Sequence, residues 1–462
     1  MIELKKNIFD AVIKQDLCVG CGACLYTSSK NDLKMMWNQE GFLTPSSDNP
    51  QTISEESLKV CPFNPFPDKE VRTENEIADI FLKDAPNQHP KVGRYINTYV
   101  GYSNKYQLTS SSGGIATYLI DELLNKKIVD AVITVKEGKN NFYEYSVIRS
   151  NDELISTSET KYYPVTLATV IQQLKNSNER VAVVGIACFI KSIRLLQYYH
   201  PELNEKIQFT IGIICGGIKS RFFAEYLAGK TGVASDQFSQ PQFRIKDIQS
   251  TATDYSFGCK DSKGELHTIK MRKVGDMWGS GMFKNNACDF CDDVTTELAD
   301  ISLGDAWLNP YNQDGKGTNV MVTRSQLAEE LINEGITRKE LSVEPLDVSQ
   351  FLSSQQGSFN HRQKALGYRV KLAGKKGLTI PPKRHDKEKI FLDFKLVQKQ
   401  RMIVRKQSLV QWAIVKDSRI FDEVMSTSLK KLQRITKINH YIRAVYRRFE
   451  LQRDRKNNLI SK

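Results

Sequence analysis

Between residues 92 and 355 the apolar positions switch between two periods. RYINTYVGYS, VDAVITVKEG, ERVAVVGIAC and IQFTIGIICGG are β-branched runs of strand length. Helical patterns lie between them. Ile115, Tyr118, Leu119 and Leu123 fall on one helix face, and Leu167, Val170, Ile171 and Leu174 on another. ELADISLGDAW and TNVMVTRS add further strands. This alternation predicts an α/β domain with a substantially parallel sheet, mixed toward its C-terminal part. From about residue 355 the pattern turns helical. Phe421, Val424, Leu429, Leu432, Ile435, Ile438, Ile442, Val445 and Phe449 recur every three to five residues, among Arg434, Lys437, Arg443, Arg447 and Arg448. That is an amphipathic helix, or two, expected to pack on the body, with contact at a membrane interface as the second reading.

Residues before about 75 show few regular apolar periods, and the polar stretch Lys83–Lys91, with Pro86 and Pro90, reads as a linker. Three parts are therefore expected: residues 1–82, residues 92–355 (in two portions, 92–176 and 177–355), and an extension over 356–462. No apolar run is long enough to span a membrane. The longest, around 207–218, is broken by Gly212, Gly216 and Gly217.

Charge changes the picture at one end. The chain carries +13 overall, yet residues 383–462 hold 22 Lys/Arg against 8 Asp/Glu, so the rest is close to neutral. A basic tail suits a membrane surface, an acidic protein or another polyanion, or else it is a solvated helix face. No nucleic-acid partner is expected. MIELKKNIFD is charged where a signal peptide would be apolar. Nine cysteines without such a signal point to a reducing cytoplasm, where thiols bind metal.

The cysteines carry the chemistry. Cys18, Cys21 and Cys24 stand at i, i+3, i+6, and Cys61 follows with Pro62 behind it. Three thiolates on one tight loop plus one from afar is 4Fe–4S ligand spacing. Zinc more often takes paired Cys-x2-Cys units. Cys288 and Cys291 form such a pair, while Cys188 and Cys215 each end a β-rich run. If those strands are parallel neighbours, both thiols meet at the carboxyl edge of the sheet, and four thiolates would make a second cage. The alternative is that Cys188 and Cys215 are buried hydrophobes and the pair binds zinc or nothing. Cys259 reads as a spare on a turn.

Ser110, Ser111, Ser112, Gly113 and Gly114 open a helix, a place where backbone amides receive an anion such as a pyrophosphate, or let a flavin ring approach. Lys161 and Tyr162 offer a cation and a ring in a strand–helix connection. Asp300 and Asp305 flank a short strand. Lys161 and Asp305 are the candidate catalytic residues, Asp305 being equally readable as a turn cap.

In this order the pieces resemble the family of coenzyme F420 (deazaflavin) hydrogenase/dehydrogenase beta subunits, from about Cys18 to Arg324. The resemblance rests on CVGCGAC with EGFLTP and VCPF, SSGGIATYLIDELL, TKYYPV, VVGIAC, IICGGIKS, FRIK (Phe243 to Lys246) and CDFCDDVTTELADISLGDAW. It implies an α/β (α+β) fold with a ferredoxin-like 4Fe–4S module, a central mixed or parallel-sheet FAD-binding domain and a helical C-terminal extension. Cys18, Cys21, Cys24 and Cys61 match its ferredoxin-like ligands. Ser112, Gly113 and Gly114 match its flavin-side loop, and Lys161 and Tyr162 its Ser-Lys-Tyr element, with Thr160 for the serine. Cys188 and Cys215 match its two later single cysteines. Ile186 and Ala187 stand for Thr-Pro before the first, and Gly216 replaces the histidine after the second, taking with it any proton transfer that histidine provides.

The resemblance further implies an oxidoreductase that passes electrons through 4Fe–4S clusters and FAD between a ferredoxin-type partner and a small organic acceptor. The basic extension with LTIPPKR is similar to members that serve polysaccharide biosynthesis. An electron-relay subunit using deazaflavin coenzyme F420, and a non-redox zinc scaffold, are the alternatives.

Overall fold

The computed structural model describes residues 7–28, 32–139 and 141–460, with side chains of the last helix described as far as Val445. The β-branched runs assemble into one eight-stranded sheet. Its spatial order is Leu341–Pro345, Asn97–Ser103, Asn319–Thr323, Ile301–Asp305, Ile207–Ile213, Val181–Ile186, Ala131–Glu137 and Tyr143–Ile148. The strands beginning at Ile301, Ile207, Val181 and Ala131 run parallel to one another, and those outside them pair antiparallel. The protein is thus a mixed α/β fold with a helical C-terminus.

Strand alternation sorts the side chains to two faces. Ala131, Ile133, Val181 and Val183 enter a core shared with Leu17, Ala23, Leu58 and Val60 of the cysteine-bearing segment. Val132 and Ala182 point the other way, onto Ile115, Leu119 and Leu123 of helix Ile115–Asn125 and Leu331 of helix Gln326–Thr337. Both faces being covered, the central strands read as continuous apolar runs.

The N-terminal residues therefore do not form a separate body. They use one face of the sheet as their core, which explains their poor periodicity. The Lys83–Lys91 stretch is not a free linker either. Asn87–His89 pairs with Gly93–Tyr95, and Val92 between them is fully buried.

Helix Leu392–Val415 folds back on helix Ser418–Ile460, and both pack on helix Arg221–Thr231. Trp412 meets the rings of Tyr226, Phe283 and Phe421 at centroid distances of 5.6, 6.1 and 5.3 Å. Of the expected stripe, Phe421 and Leu432 are buried and Leu429, Ile435, Ile442 and Val445 half-buried. Val424 and Ile438 are instead 47% and 48% exposed, so the recurrence serves two faces rather than one. Phe449, Arg447 and Arg448 lie outside the described side chains.

Part of the tail's positive charge turns inward. Arg384 makes paired bonds of 2.6 and 2.9 Å to Glu297, and Lys383 lies 3.5 Å from Asp292. Arg405 bonds Asp289 at 3.1 Å and Asn286 at 2.6 Å. These cations answer a run of buried acids within the chain, which net charge alone does not reveal.

Candidate redox centre

Cys18 and Cys21 sit on the loop entering the short turn Ala23–Leu25, Cys24 lies within that turn, and Cys61 follows helix Glu56–Lys59. Gly22 holds φ at +82°, and a Cβ there would stand 2.3 Å from the hydroxyl of Thr166. Only glycine lets this loop lie against its neighbour. Backbone amides of Gly20, Ala23 and Phe63 donate to the sulfurs of Cys18, Cys21 and Cys61. Burial pushes the Cys18 thiol up to about 12 and holds Cys24 and Cys61 well above the ordinary value. Cys24 is raised further by Cys21, Cys18 and Cys61, which places the four together. As free groups these thiols stay protonated; a bound cation is what would keep four thiolates here.

The strands Val181–Ile186 and Ile207–Ile213 are parallel neighbours, with Ile186 opposite Ile213. Cys188 lies in the first turn of the helix after one, and Cys215 just beyond the end of the other. Cys288 and Cys291 come on and after the turn Asn286–Phe290. Burial raises Cys188 well above its ordinary value, followed in effect by Cys291, Cys288, Cys215 and then Cys21. The second quartet is therefore assembled, and it abuts the first.

Amides again face sulfur: Gly217 N–H donates to Cys215 Sγ at 3.2 Å and Ile218 N–H to Cys288 Sγ at 3.3 Å. The side-chain amide of Asn285 donates to the Cys18 carbonyl at 2.9 Å, joining the two cysteine loops. Backbone amides donating to ligand sulfurs are a feature of iron–sulfur sites, and this quartet has two such bonds. Cys259 lies on strand Ser256–Lys260, fully buried, with its sulfur 3.6 Å from the Thr231 hydroxyl. It is a core residue of a separate three-stranded sheet and no substitute ligand.

A cavity of about 900 Å³ opens at the carboxyl ends of the four parallel strands, where open α/β sheets hold their ligands. Ser111, Ser112, Gly114, Lys161, Tyr162, Cys215 and Asp305 all line it. Gly113 does not; its Cα packs on Asn319, leaving no room for a Cβ. Gly114, at φ +79°, opens helix Ile115–Asn125. Lys161 is half-buried at the wall, and desolvation lowers its pKa to about 8. Asp305 accepts from Arg244 Nη1 at 2.7 Å, an ion pair rather than a turn cap. Asp300 is not part of this site. It accepts from Thr210 and from Arg194, beneath the sheet's other end.

Two cavity-lining residues, Arg244 and Lys219, and Lys246 behind the serine–glycine loop have no role assigned from the sequence. Arg244 holds Asp305. Lys246 donates to the carbonyls of Gln107 at 2.6 Å and Ser112 at 2.8 Å, pinning the serine–glycine loop. Lys219 is buried, with its pKa lowered to about 7 by desolvation, and lies 4.6 Å from the Trp278 ring. The signals were present as FRIK and IICGGIKS, but neither motif says which wall its cations reach.

Thiol quartets beside a ring-sized cavity describe a redox protein of α/β class. The model for the C terminus of the coenzyme F420 hydrogenase/dehydrogenase beta subunit matches residues 178–349. The model for the N-terminal part of that beta subunit matches residues 98–172. Together they span more than half of the chain, which belongs to this family of coenzyme F420 hydrogenase/dehydrogenase beta subunits.

One of the subunits of the F(420)H(2) dehydrogenase of Methanosarcina mazei is 23% identical over 308 residues, covering 63% of this chain and 76% of that protein. The beta subunit of coenzyme F420 hydrogenase from Methanothermobacter thermautotrophicus is 22% identical over 52% of this chain and 80% of its own length. Coenzyme F420-dependent sulfite reductase of Methanocaldococcus jannaschii is 25% identical over 52% of this chain, with 38% of its length covered. These relatives are oxidoreductases or their subunits by name, and a redox role is the common ground.

Proposed function

We propose that the chain is an electron-relay beta subunit, exchanging electrons between a ferredoxin-type partner and a two-electron carrier of the deazaflavin class, coenzyme F420. The observation that carries this reading is Cys215. It belongs to the second quartet and also walls the cavity, so the thiol set and the ring site share a residue. The names of the relatives favour this setting over polysaccharide biosynthesis.

When bound, 4Fe–4S clusters supply single electrons and a flavin such as FAD, or a deazaflavin, takes up two. Cys18, Cys21, Cys24 and Cys61 would hold one cluster, and Cys188, Cys215, Cys288 and Cys291 the other. The rest of the work is placement. Ser111, Ser112 and the amides behind Gly114 receive an anionic tail at a helix entrance. Tyr162 and Trp278 offer ring faces. Lys161 presents a proton donor whose pKa desolvation lowers to about 8, closer to the range in which acid–base work is efficient. The FAD assignment rests on the family resemblance and on a cavity large enough for a ring cofactor beside its acceptor.

Anaerobic reconstitution with iron and sulfide tests the proposal. Two cubanes give about eight iron atoms per chain, and reduced ferredoxin should then bleach the absorbance of coenzyme F420. A fully iron-loaded chain that exchanges electrons with neither coenzyme F420 nor a flavin would sink it. Copurification with a catalytic partner separates a relay from a self-sufficient enzyme.

A further inference from the structure

The C-terminal hairpin presents an apolar face that the electron path does not use. On helix Leu392–Val415, Leu392, Leu396, Ile403, Val410 and Ile414 are between 38% and 73% exposed. At 100° per residue they fall within about 40° of arc, along about 33 Å of helix. Val397, Val404, Leu409 and Trp412 are buried against the body. Gln400 donates to the Ser428 carbonyl, and Asn439 donates to Asp393, so these positions mark where the two helices meet. The exposed set lies on neither side. On helix Ser418–Ile460, Ile420, Val424 and Ile438 are exposed. Counted from Ser428 and Phe421 in the same way, they occupy the same outer surface.

The charges on this surface have one dominant sign. No acidic residue occurs from Phe394 to Lys416, nor from Val424 to Phe449. Lys395, Lys399 and Lys406 border the apolar line on the first helix, and Lys431 and Arg434 are exposed beside it on the second. Glu423 is the acid at its edge. Five cations against one carboxylate leave the face positive. A second copy would set like charges opposite each other. Among the described residues no helix is long and apolar enough to cross a membrane. An apolar line rimmed by lysine is instead the form of a helix that lies in a bilayer interface.

We propose that this two-helix face docks the protein on an anionic lipid surface, flat against the headgroups. The apolar line enters the interface while the cations meet lipid phosphates. The docking is independent of the redox reading, because none of these residues touches a cysteine quartet or the cavity.

Flotation of the iron-loaded full chain with phosphatidylcholine vesicles, with and without phosphatidylglycerol, tests it. Binding should be at least tenfold stronger with the anionic lipid and should weaken as salt rises. Lys399→Glu with Lys406→Glu and Lys431→Glu should lower it at least tenfold, at roughly 1 kcal/mol per cation. Ile403→Asp with Ile414→Asp should abolish it. These positions are exposed, so iron content should not change. Equal recovery with neutral and anionic vesicles would overturn the proposal. So would a dimer in sedimentation that Ile403→Asp dissociates, since the face would then belong to a second copy.

Discussion

Nη1 of Arg362 lies 3.7 Å from Sγ of Cys291 and donates to the Asp293 carbonyl at 2.8 Å. The guanidinium is buried, and its charge also couples to Cys215 and Cys288. A fixed cation favours the more negative, reduced state of a cluster held by these cysteines. Arg362→Gln should therefore lower the midpoint potential of the second cluster and leave the first unmoved. A charged hydrogen bond worth roughly 1.5–3 kcal/mol corresponds to roughly 65–130 mV for one electron. Redox titration followed by electron paramagnetic resonance reads this shift, and Arg362→Lys should recover part of it.

Replacing Cys288 and Cys291 together by serine should remove about four iron atoms per chain, the content of one cubane. The Cys18/Cys21/Cys24/Cys61 set should keep its own iron. Undiminished iron would mean that the second quartet holds none.

The lysine at the cavity wall gives a pH dependence. Lys161 has a folded-state pKa of about 8 against 10.5 for the free side chain, lowered by desolvation. A reaction that draws its proton from Lys161 should slow as pH rises through about 8. In Lys161→Gln that limb should vanish from the rate profile. The stability effect has the opposite sense. Between about 8 and 10.5 the unfolded chain holds the proton that the folded chain has lost, so stability rises with pH there. The burial penalty is full below about 8, and Lys161→Met should stabilise the protein at neutral pH.

Arg384 joins the tail to the cysteine-bearing region. Both it and Glu297 are buried, and their paired bonds leave neither charge in water. Arg384→Ala strands Glu297 and should cost roughly 3–5 kcal/mol, read as a lower urea midpoint for the iron-loaded protein. Arg384→Ala with Glu297→Gln should recover part of the loss, because the stranded charge is gone.

Much of the fold was legible because β-branched runs such as VAVVGI and TIGII have few alternatives to a buried strand. Placing Cys188 and Cys215 on parallel neighbours then needed only that those runs pair. What escaped was set by tertiary packing. Arg244 reaches the cavity from the separate three-stranded sheet, Lys246 just beyond that strand pins the serine–glycine loop, and Arg362 comes from the extension. No local spacing encodes those approaches. Cys259 looked like a turn residue because Gly258 precedes it and Asp261 follows closely. It is a strand residue whose turn begins just after Lys260. The basic tail misled in a similar way, since a charge count cannot tell a solvated lysine from Arg405 locked to Asp289.

One core runs from Leu17 and Val60 through to Val181 and Leu196. The cysteine-rich beginning of the chain is therefore not a detachable cartridge. Cutting it away would strip the lining from one side of the sheet and leave a greasy, sticky remnant, and moving it onto another scaffold would deprive it of its own interior. Engineering that seeks to swap the electron inlet must exchange both partners of this shared interior at once.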